Sequence, residues 1–330
     1  MSALIHRPRR MRQHPTFRNM VRETRLSLDQ LIYPLFIKES ISVRNPIDSM
    51  PGYFQLPLSD IADEAAEAYA LGIQAVCLFG IPTHKDPTGS ASLEHDSIVA
   101  ESVRRIKDRC PDLLVVVDIC LCEYTSTGHC GVMNEHTGRV DLDNDKTLDI
   151  LAAQAIVLAK AGADVMAPSG MIDGQVAAIR AGLDGEGYSH IPIFCHTAKF
   201  ASSCYGPFRQ MAEGGLKFGD RKTYQLDIAN GNAAIREHQL DIEQGADLLM
   251  VKPAGWYLDV IYATKQRFPE FTLGAYQVSG EYAMIKAAAK NGWLDEKKMI
   301  EESLIAIRRA GADLIFTYFA KDYAMMVQQR

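Results

Sequence analysis

No stretch of the 330 residues approaches about 18 uninterrupted apolar positions, so no membrane-spanning helix is expected. The N-terminus has no apolar h-region, which excludes a secretory signal. Cysteine is too sparse for a disulfide scaffold: there are seven, an odd number, in a long chain. Cys77, Cys110, Cys195 and Cys204 are scattered, and Cys77 and Cys195 fall in apolar strand-like runs, which fits a reducing cytosol. Positive charge is not in surplus. The net charge of -6 argues against a general nucleic-acid binder. A Walker A sequence is missing, and no glycine fingerprint follows the first strand-like run at 31–37.

What is present is an ordinary globular balance, 47% hydrophobic, with enough chain for a large core. The first 25 residues depart from it. They carry Arg7, Arg9, Arg10, Arg12, Arg18, Arg22 and Arg25 against one acid, Glu23. A transit peptide would need an amphipathic helix, which Pro8 and Pro15 interrupt. The preferred reading is an arm over residues 1–30 that docks on a neighbouring subunit, where arginine finds carboxylates and carbonyls. A solvated tail is the bland alternative.

From residue 31 to the C-terminus one unit repeats. Strand-like runs at 31–37, 73–79, 113–117, 163–167, 191–195, 246–251, 271–276 and 312–316 alternate with helical patterns near 59–71, 96–108, 148–159, 174–182, 232–244, 256–267, 280–290 and 295–309. Ala-Gly-Ala-Asp at 161–164 recurs at 310–313, and as Gln-Gly-Ala-Asp at 244–247. Each phrase ends a helix and opens an apolar strand. Eight such units predict a (β/α)8 TIM barrel over residues 31–330, with an open doubly wound sheet as the runner-up.

In such a barrel chemistry sits at the strand ends. The third strand leads into residues 118–131, DICLCEYTSTGHCG. If the chain stays extended, Asp118, Cys120 and Cys122 point the same way, and Gly128 and Gly131 let Cys130 return to meet them. Three converging thiols make a soft-metal site, zinc first. His129 or Asp118 is a possible fourth ligand. Three ordinary cysteines near a turn is the competing reading.

Lys199 and Lys252 each fall just past an apolar strand. Burial disfavours a lysine's charged form, a neighbouring cation disfavours it further, and the neutral amine can attack a ketone to form a Schiff base. Either lysine alone is as readily a solvated strand-end charge; the pair beside a cysteine loop favours chemistry. The glycine-rich segment 200–226 reads as a lid carrying Arg209, Arg221 and Lys222, with arginine forks suited to a carboxylate. Ser279 and Tyr318, at other strand ends, are hydroxyls suited to a second carboxylate.

Residues 118–131, TAKFASSC at 197–204, YGPFR at 205–209, GDRKTYQ at 219–225, MVKPAG at 250–255 and QVSGEYAMIK at 277–286 strongly resemble the δ-aminolevulinic acid dehydratase family. The resemblance runs from the RPRRMR arm at 7–12 to residues 314–320. It implies a lyase that condenses two molecules of 5-aminolevulinate into the pyrrole porphobilinogen, with loss of water, in tetrapyrrole (heme) biosynthesis. It also implies a cytoplasmic homo-octamer joined through N-terminal arms. Carried over by motif, Lys199 and Lys252 are the Schiff-base lysines, Lys252 for the propionate-side and Lys199 for the acetate-side substrate. Arg209 and Arg221 bind one carboxylate, Ser279 and Tyr318 the other, and Asp118 joins the substrate site. Cys120, Cys122 and Cys130 match the zinc-type members, and Glu237 matches a carboxylate that supports an allosteric magnesium in many bacterial members. Thr223 stands where animal members place a second-zinc cysteine, and Cys204 where an aromatic is common.

Overall fold

The computed structural model describes residues 4–136 and 138–329. The first three residues of the expected arm therefore lie outside the described residues.

The eight repeating runs form eight parallel strands: β1 Leu31–Lys38, β2 Ala75–Ile81, β3 Leu114–Ile119, β4 Val165–Pro168, β5 Phe194–Lys199, β6 Leu248–Lys252, β7 Thr272–Gln277 and β8 Leu314–Thr317. Their order is β4-β3-β2-β1-β8-β7-β6-β5. The two ends meet through a single parallel bridge, Met166 with Ile193, where the Met166 N–H donates to the Pro192 carbonyl at 3.1 Å. That bridge closes the sheet into a TIM barrel.

Every expected run is a strand, but most strands lie about two residues later than the apolar runs suggest. The apolar side chains stop before the strand pairing does. The backbone keeps pairing through polar positions at the mouth, so that Thr197 and Lys199 belong to β5 and Lys252 to β6.

The recurring Gly-Ala-Asp phrase has a structural purpose. Each aspartate opens one strand and binds the start of the strand before it. Asp164 accepts the Val115 N–H at 2.7 Å, Asp247 the Ile193 N–H at 2.8 Å, and Asp313 the Leu273 N–H at 3.0 Å. Lys107 and Lys265 pair with Asp164 and Asp313. Strand N-termini that would otherwise leave bare N–H groups are thereby satisfied.

Helices follow each strand on the outside: α1 Ile61–Ala70, α2 Ile98–Arg109, α3 Asn144–Ala161, α4 Gln175–Gly185, α5 Gly231–Glu243, α6 Leu258–Arg267, α7 Ser279–Lys290, α8 Glu296–Ala310 and α9 Ala320–Gln328. α9 and the antiparallel hairpin of Met133–His136 with Arg139–Leu142 were not anticipated. The barrel interior is aromatic. Tyr276 stacks on Phe316 at 5.2 Å between centroids, and Phe194 meets Phe316 edge-on at 5.3 Å. Gly274 makes room for this packing, since a Cβ there would lie 2.4 Å from the Phe194 ring.

The arm carries a short helix, Pro15–Met20, and a 3-10 turn, Pro8–Met11, each with the proline at its first position. Proline starts these helices rather than interrupting one. Its residues are largely exposed, including Ile5 and Met20. Among the described residues no helix is long and apolar enough to cross a membrane.

Candidate active site

The barrel register puts Lys199 and Lys252 side by side, their Cα atoms paired across β5 and β6. Both are buried. Lys199 donates from Nζ to the Ser169 carbonyl at 2.6 Å, a contact from the end of β4. Lys252 Nζ lies 3.8 Å from the centroid of the Tyr276 ring and 5.6 Å from that of Phe208. Their surroundings push the two amines apart. Burial, and next the Lys199 charge, lower Lys252 from an ordinary lysine value to about 7. Lys199 is also opposed by burial, but the thiols of Cys130, Cys120 and Cys122 and the Asp118 carboxylate outweigh it and raise its pKa. One lysine is thus poised as a neutral nucleophile beside one held as a cation, the division that general acid–base chemistry exploits.

The cysteines do converge, but by a different route from the one expected. β3 ends at Ile119, and the chain turns at once: the N–H groups of Tyr124 and Thr125 both donate to the Leu121 carbonyl. The turn, rather than extended alternation, brings the Sγ atoms of Cys120, Cys122 and Cys130 within 4.8 Å of one another. All three are buried, and the chain's seven cysteines are free thiols. Hydrogen bonds from Cys120 and Cys122 hold Cys130 far toward the thiolate, with Arg221 and Lys199 adding to the effect. A buried set of soft sulfur donors, already close enough to share one ion, fits a thiophilic divalent metal.

His129 is turned away from the triad. Its Nδ1 meets the Tyr224 hydroxyl at 3.0 Å and its Nε2 the Phe218 carbonyl at 3.2 Å, which corrects its reading as a possible fourth ligand. Asp118 remains beside the cysteines, grouped within 4.8 Å with Cys120 and Glu123. Glu123 was missed in the sequence. Its carboxyl is buried, accepts from Cys122 Sγ at 3.1 Å, and is pushed up to about 7 by burial and then by Asp118. The one available signal was an acid directly following a metal-type cysteine. Asp118 Oδ1 and Glu123 Oε1 have no partner among the described residues.

The segment after β5 covers this site. It contains a short helix, Gly206–Met211, so it is less irregular than its glycine content suggests. Both ends of the lid rest on the lysine strands: Leu226 N–H donates to the Lys199 carbonyl at 3.0 Å and Phe200 N–H to the Lys252 carbonyl at 2.9 Å. In its middle, Gly128 of the cysteine loop packs against it. Gly128 has φ +75, and a Cβ there would lie 2.6 Å from the Gly215 carbonyl oxygen, so the contact requires glycine. Arg221 is buried, donates from Nη2 to the Gly128 carbonyl at 2.8 Å, and keeps an Nε with no partner among the described residues. Arg209 is half-buried with its Nε likewise unpartnered, and burial followed by the Arg221 charge lowers its pKa. Two crowded guanidiniums with unused donors suit an anion.

Ser279 Oγ accepts the Phe208 N–H at 2.9 Å, and Tyr318 shares its hydroxyl with Tyr276 at 3.4 Å. Lys199, Lys252, Arg221, Ser279 and Tyr318 line one enclosed cavity of about 10 Å³, room for scarcely one water. Of the expected site residues, Glu237 stands apart. It lies on α5 and lines a separate cleft with Asp173 and Asp241, where burial and then Asp173 raise its pKa.

This geometry has close counterparts. The family model described as "Delta-aminolevulinic acid dehydratase" matches residues 5–326. The chain belongs to the δ-aminolevulinic acid dehydratase family. The dehydratase of Halalkalibacterium halodurans is 51% identical, over 98% of this chain and 97% of that protein. That of Archaeoglobus fulgidus is 50% identical, over 98% of each. A crystal structure of the δ-aminolevulinic acid dehydratase (porphobilinogen synthase) of Toxoplasma gondii, in complex with its reaction product porphobilinogen, superposes with a TM-score of 0.95. It is 41% identical and covers 99% of this chain and 93% of that one. A member of this dehydratase family is expected to need a metal, and the cysteine triad is a site that could hold one.

Proposed function

We propose that this chain is a porphobilinogen synthase, a lyase that condenses two molecules of 5-aminolevulinate into porphobilinogen with loss of water, in tetrapyrrole biosynthesis. The observation that carries this reading is the pair of buried lysines at matched register beside a buried three-thiol cluster.

Lys252 is assigned the first covalent step. With a pKa of about 7, its amine is substantially neutral at physiological pH. It attacks the ketone carbon of one substrate, water leaves, and an iminium joins Lys252 to that carbon. Lys199 does the same with the second substrate after surrendering its proton, and Asp118 Oδ1, unpartnered and in electrostatic contact with both lysines, is assigned to hold it. Holding both iminium carbons on neighbouring strands turns a bimolecular condensation into an effectively unimolecular one. Arg209 and Arg221 bind the carboxylate of the Lys199 substrate. Ser279 and Tyr318 bind that of the Lys252 substrate; the Ser279 hydroxyl, which accepts from the Phe208 N–H, would turn its own proton from the Cys204 carbonyl to that carboxylate.

Cys120, Cys122 and Cys130 would hold zinc, which when bound supplies Lewis-acid activation of a substrate amino group. Glu237, in its acidic cleft, would support an allosteric magnesium. Assembly into a homo-octamer through the N-terminal arms is favoured by the exposed apolar and arginine side chains of the arm. Free, buried thiols favour the reducing cytoplasm.

Incubation with 5-aminolevulinate and an assay for pyrrole, before and after chelation and zinc return, tests the reading. Pyrrole that is lost with the chelator and restored by zinc is the expected result. No pyrrole from folded, zinc-replete protein overturns it.

A further inference from the structure

Lys199 faces the barrel interior only because β5 breaks the rule of alternation. In an unbroken strand, side chains an odd number of residues apart lie on opposite faces. Phe194 points inward, since its ring meets Phe316 and is accommodated by Gly274. His196, two residues on, also points inward, its ring 6.2 Å from that of Tyr276. Lys199 is five residues from Phe194, and regular alternation would send it outward. On β6 no such problem arises, because Leu248 to Lys252 is an even step. The register records the difference. Leu248 pairs with Phe194 and Leu249 with Cys195, but Val251 then pairs with Ala198 and Lys252 with Lys199. β5 has one residue more than β6 over the same span, a bulge at residues 196–197.

A bulge leaves a rung of the ladder empty, and here a side chain fills it. The Met250 N–H donates to Thr197 Oγ1 at 3.2 Å, and Thr197 Oγ1 donates to the Met250 carbonyl at 3.1 Å. One hydroxyl does the work of a peptide group on the facing strand. Its remaining acceptor position meets His238 Nδ1, on α5, at 2.5 Å. The hydroxyl's only proton goes to Met250, so His238 must carry its own on Nδ1, and its Nε2 accepts from the Thr264 hydroxyl of α6 at 2.9 Å. His238 is wholly buried, and burial lowers its pKa to about 3, which keeps the ring neutral. Every polar atom of the chain Thr264–His238–Thr197–Met250 is satisfied.

We propose that Thr197, braced by His238, is the positioning residue that aims Lys199 at the substrate: its hydroxyl stabilises the bulge that turns Lys199 onto the same face as Lys252. Thr197 touches neither substrate nor reacting atoms. The inference rests on the reading of Lys199 and Lys252 as the two Schiff-base lysines.

The test is borohydride trapping of the zinc-loaded full-length enzyme with 5-aminolevulinate, with the labelled lysine identified by mass spectrometry. Wild type is expected to trap at both lysines. Thr197→Val keeps the shape of the side chain and removes the hydroxyl. It is expected to retain trapping at Lys252, to lose it at Lys199, and to lower kcat by about 10²-fold, the scale of a misplacement near 1 Å. Thr197→Ser, which restores the hydroxyl, should return both. If Thr197→Val does not fold, His238→Leu decides: its loss should fall selectively on Lys199. Equal trapping at the two lysines in the variant that folds overturns the positioning role, whether both are kept or both are lost. A Thr197→Ser enzyme as defective as Thr197→Val overturns it too. Failure of wild type to trap at either lysine strikes instead at the assignment of the reaction.

Discussion

Replacing Lys252 by methionine should abolish turnover and at the same time make the folded protein more stable near and below neutral pH. The stability argument follows from where the amine sits. Lys252 is buried against the Tyr276 ring, and burial together with Lys199 lowers its pKa from 10.5 to about 7. In the unfolded chain the amine keeps its ordinary affinity for protons. Between about pH 7 and 10.5 the unfolded state therefore binds more protons, and stability rises with pH across that window. Below about pH 7 both states are protonated and the full cost of a buried charge is present. At 1.36 kcal/mol per pH unit that cost is roughly 5 kcal/mol. Methionine has similar length and no charge, so Lys252→Met should recover a large part of it at pH 6 and almost none at pH 10.5. At roughly 2 °C per kcal/mol for a long chain, the melting temperature at pH 6 should rise by several degrees. The assay is thermal unfolding of wild type and variant, both zinc-loaded and at equal concentration, from pH 6 to 9.5. A variant that is less stable at pH 6, or whose difference from wild type does not change with pH, refutes the reasoning. A turnover rate near that of wild type would refute the catalytic assignment independently.

Three further outcomes are expected. The pH profile of kcat/KM should rise through about 7 as the Lys252 amine loses its proton, and a profile flat from pH 6 to 8 would contradict this. Arg221→Lys removes a planar fork from the lid and should raise KM for 5-aminolevulinate with a smaller effect on kcat. The expected loss is about 1.5–3 kcal/mol, roughly ten- to hundredfold, and steady-state kinetics measures it. Cys130→Ser should lower the zinc bound per chain by elemental analysis, while His129→Ala should leave that content unchanged, because His129 is committed to Tyr224 and Phe218.

The barrel was legible in the sequence because a repeated unit announces itself: the Gly-Ala-Asp phrase marks three helix-to-strand junctions, and the apolar runs between them can only be strands of one kind of sheet. Strand ends were less legible. At the mouth the side chains become polar while the backbone still pairs, so a reading based on hydrophobicity stops short, at Cys195 where β5 continues to Lys199. Short-range chemistry was visible too. The cysteine spacing and the two strand-end lysines stand out locally, and the structure brings Lys199, Lys252, Arg221, Ser279 and Tyr318 to a single cavity. The partners of Thr197 could not be read this way. His238 is 41 residues away and Met250 53, and nothing near Thr197 hints at either. Glu123 was overlooked for a different reason, since a glutamate beside a cysteine is unremarkable until both prove to be buried. The sequence suggested that His129 and Asp118 were equally eligible metal ligands. Only the position of the lid, with Tyr224 and the Phe218 carbonyl, separates them.

The single bridge between β4 and β5 makes the barrel a hoop with one weak joint. β6, which carries Lys252, is laced to neighbours on both sides, whereas β5, which carries Lys199, is laced firmly only to β6. The two lysines therefore stand on supports of unequal stiffness. One is fixed in the wall, and the other is mounted beside the seam, steadied across it by the contact of its own amine with the Ser169 carbonyl. In the proposed iminium that nitrogen would keep one N–H where the ammonium has three, so loading the second lysine would leave a single donor to hold the contact across the joint.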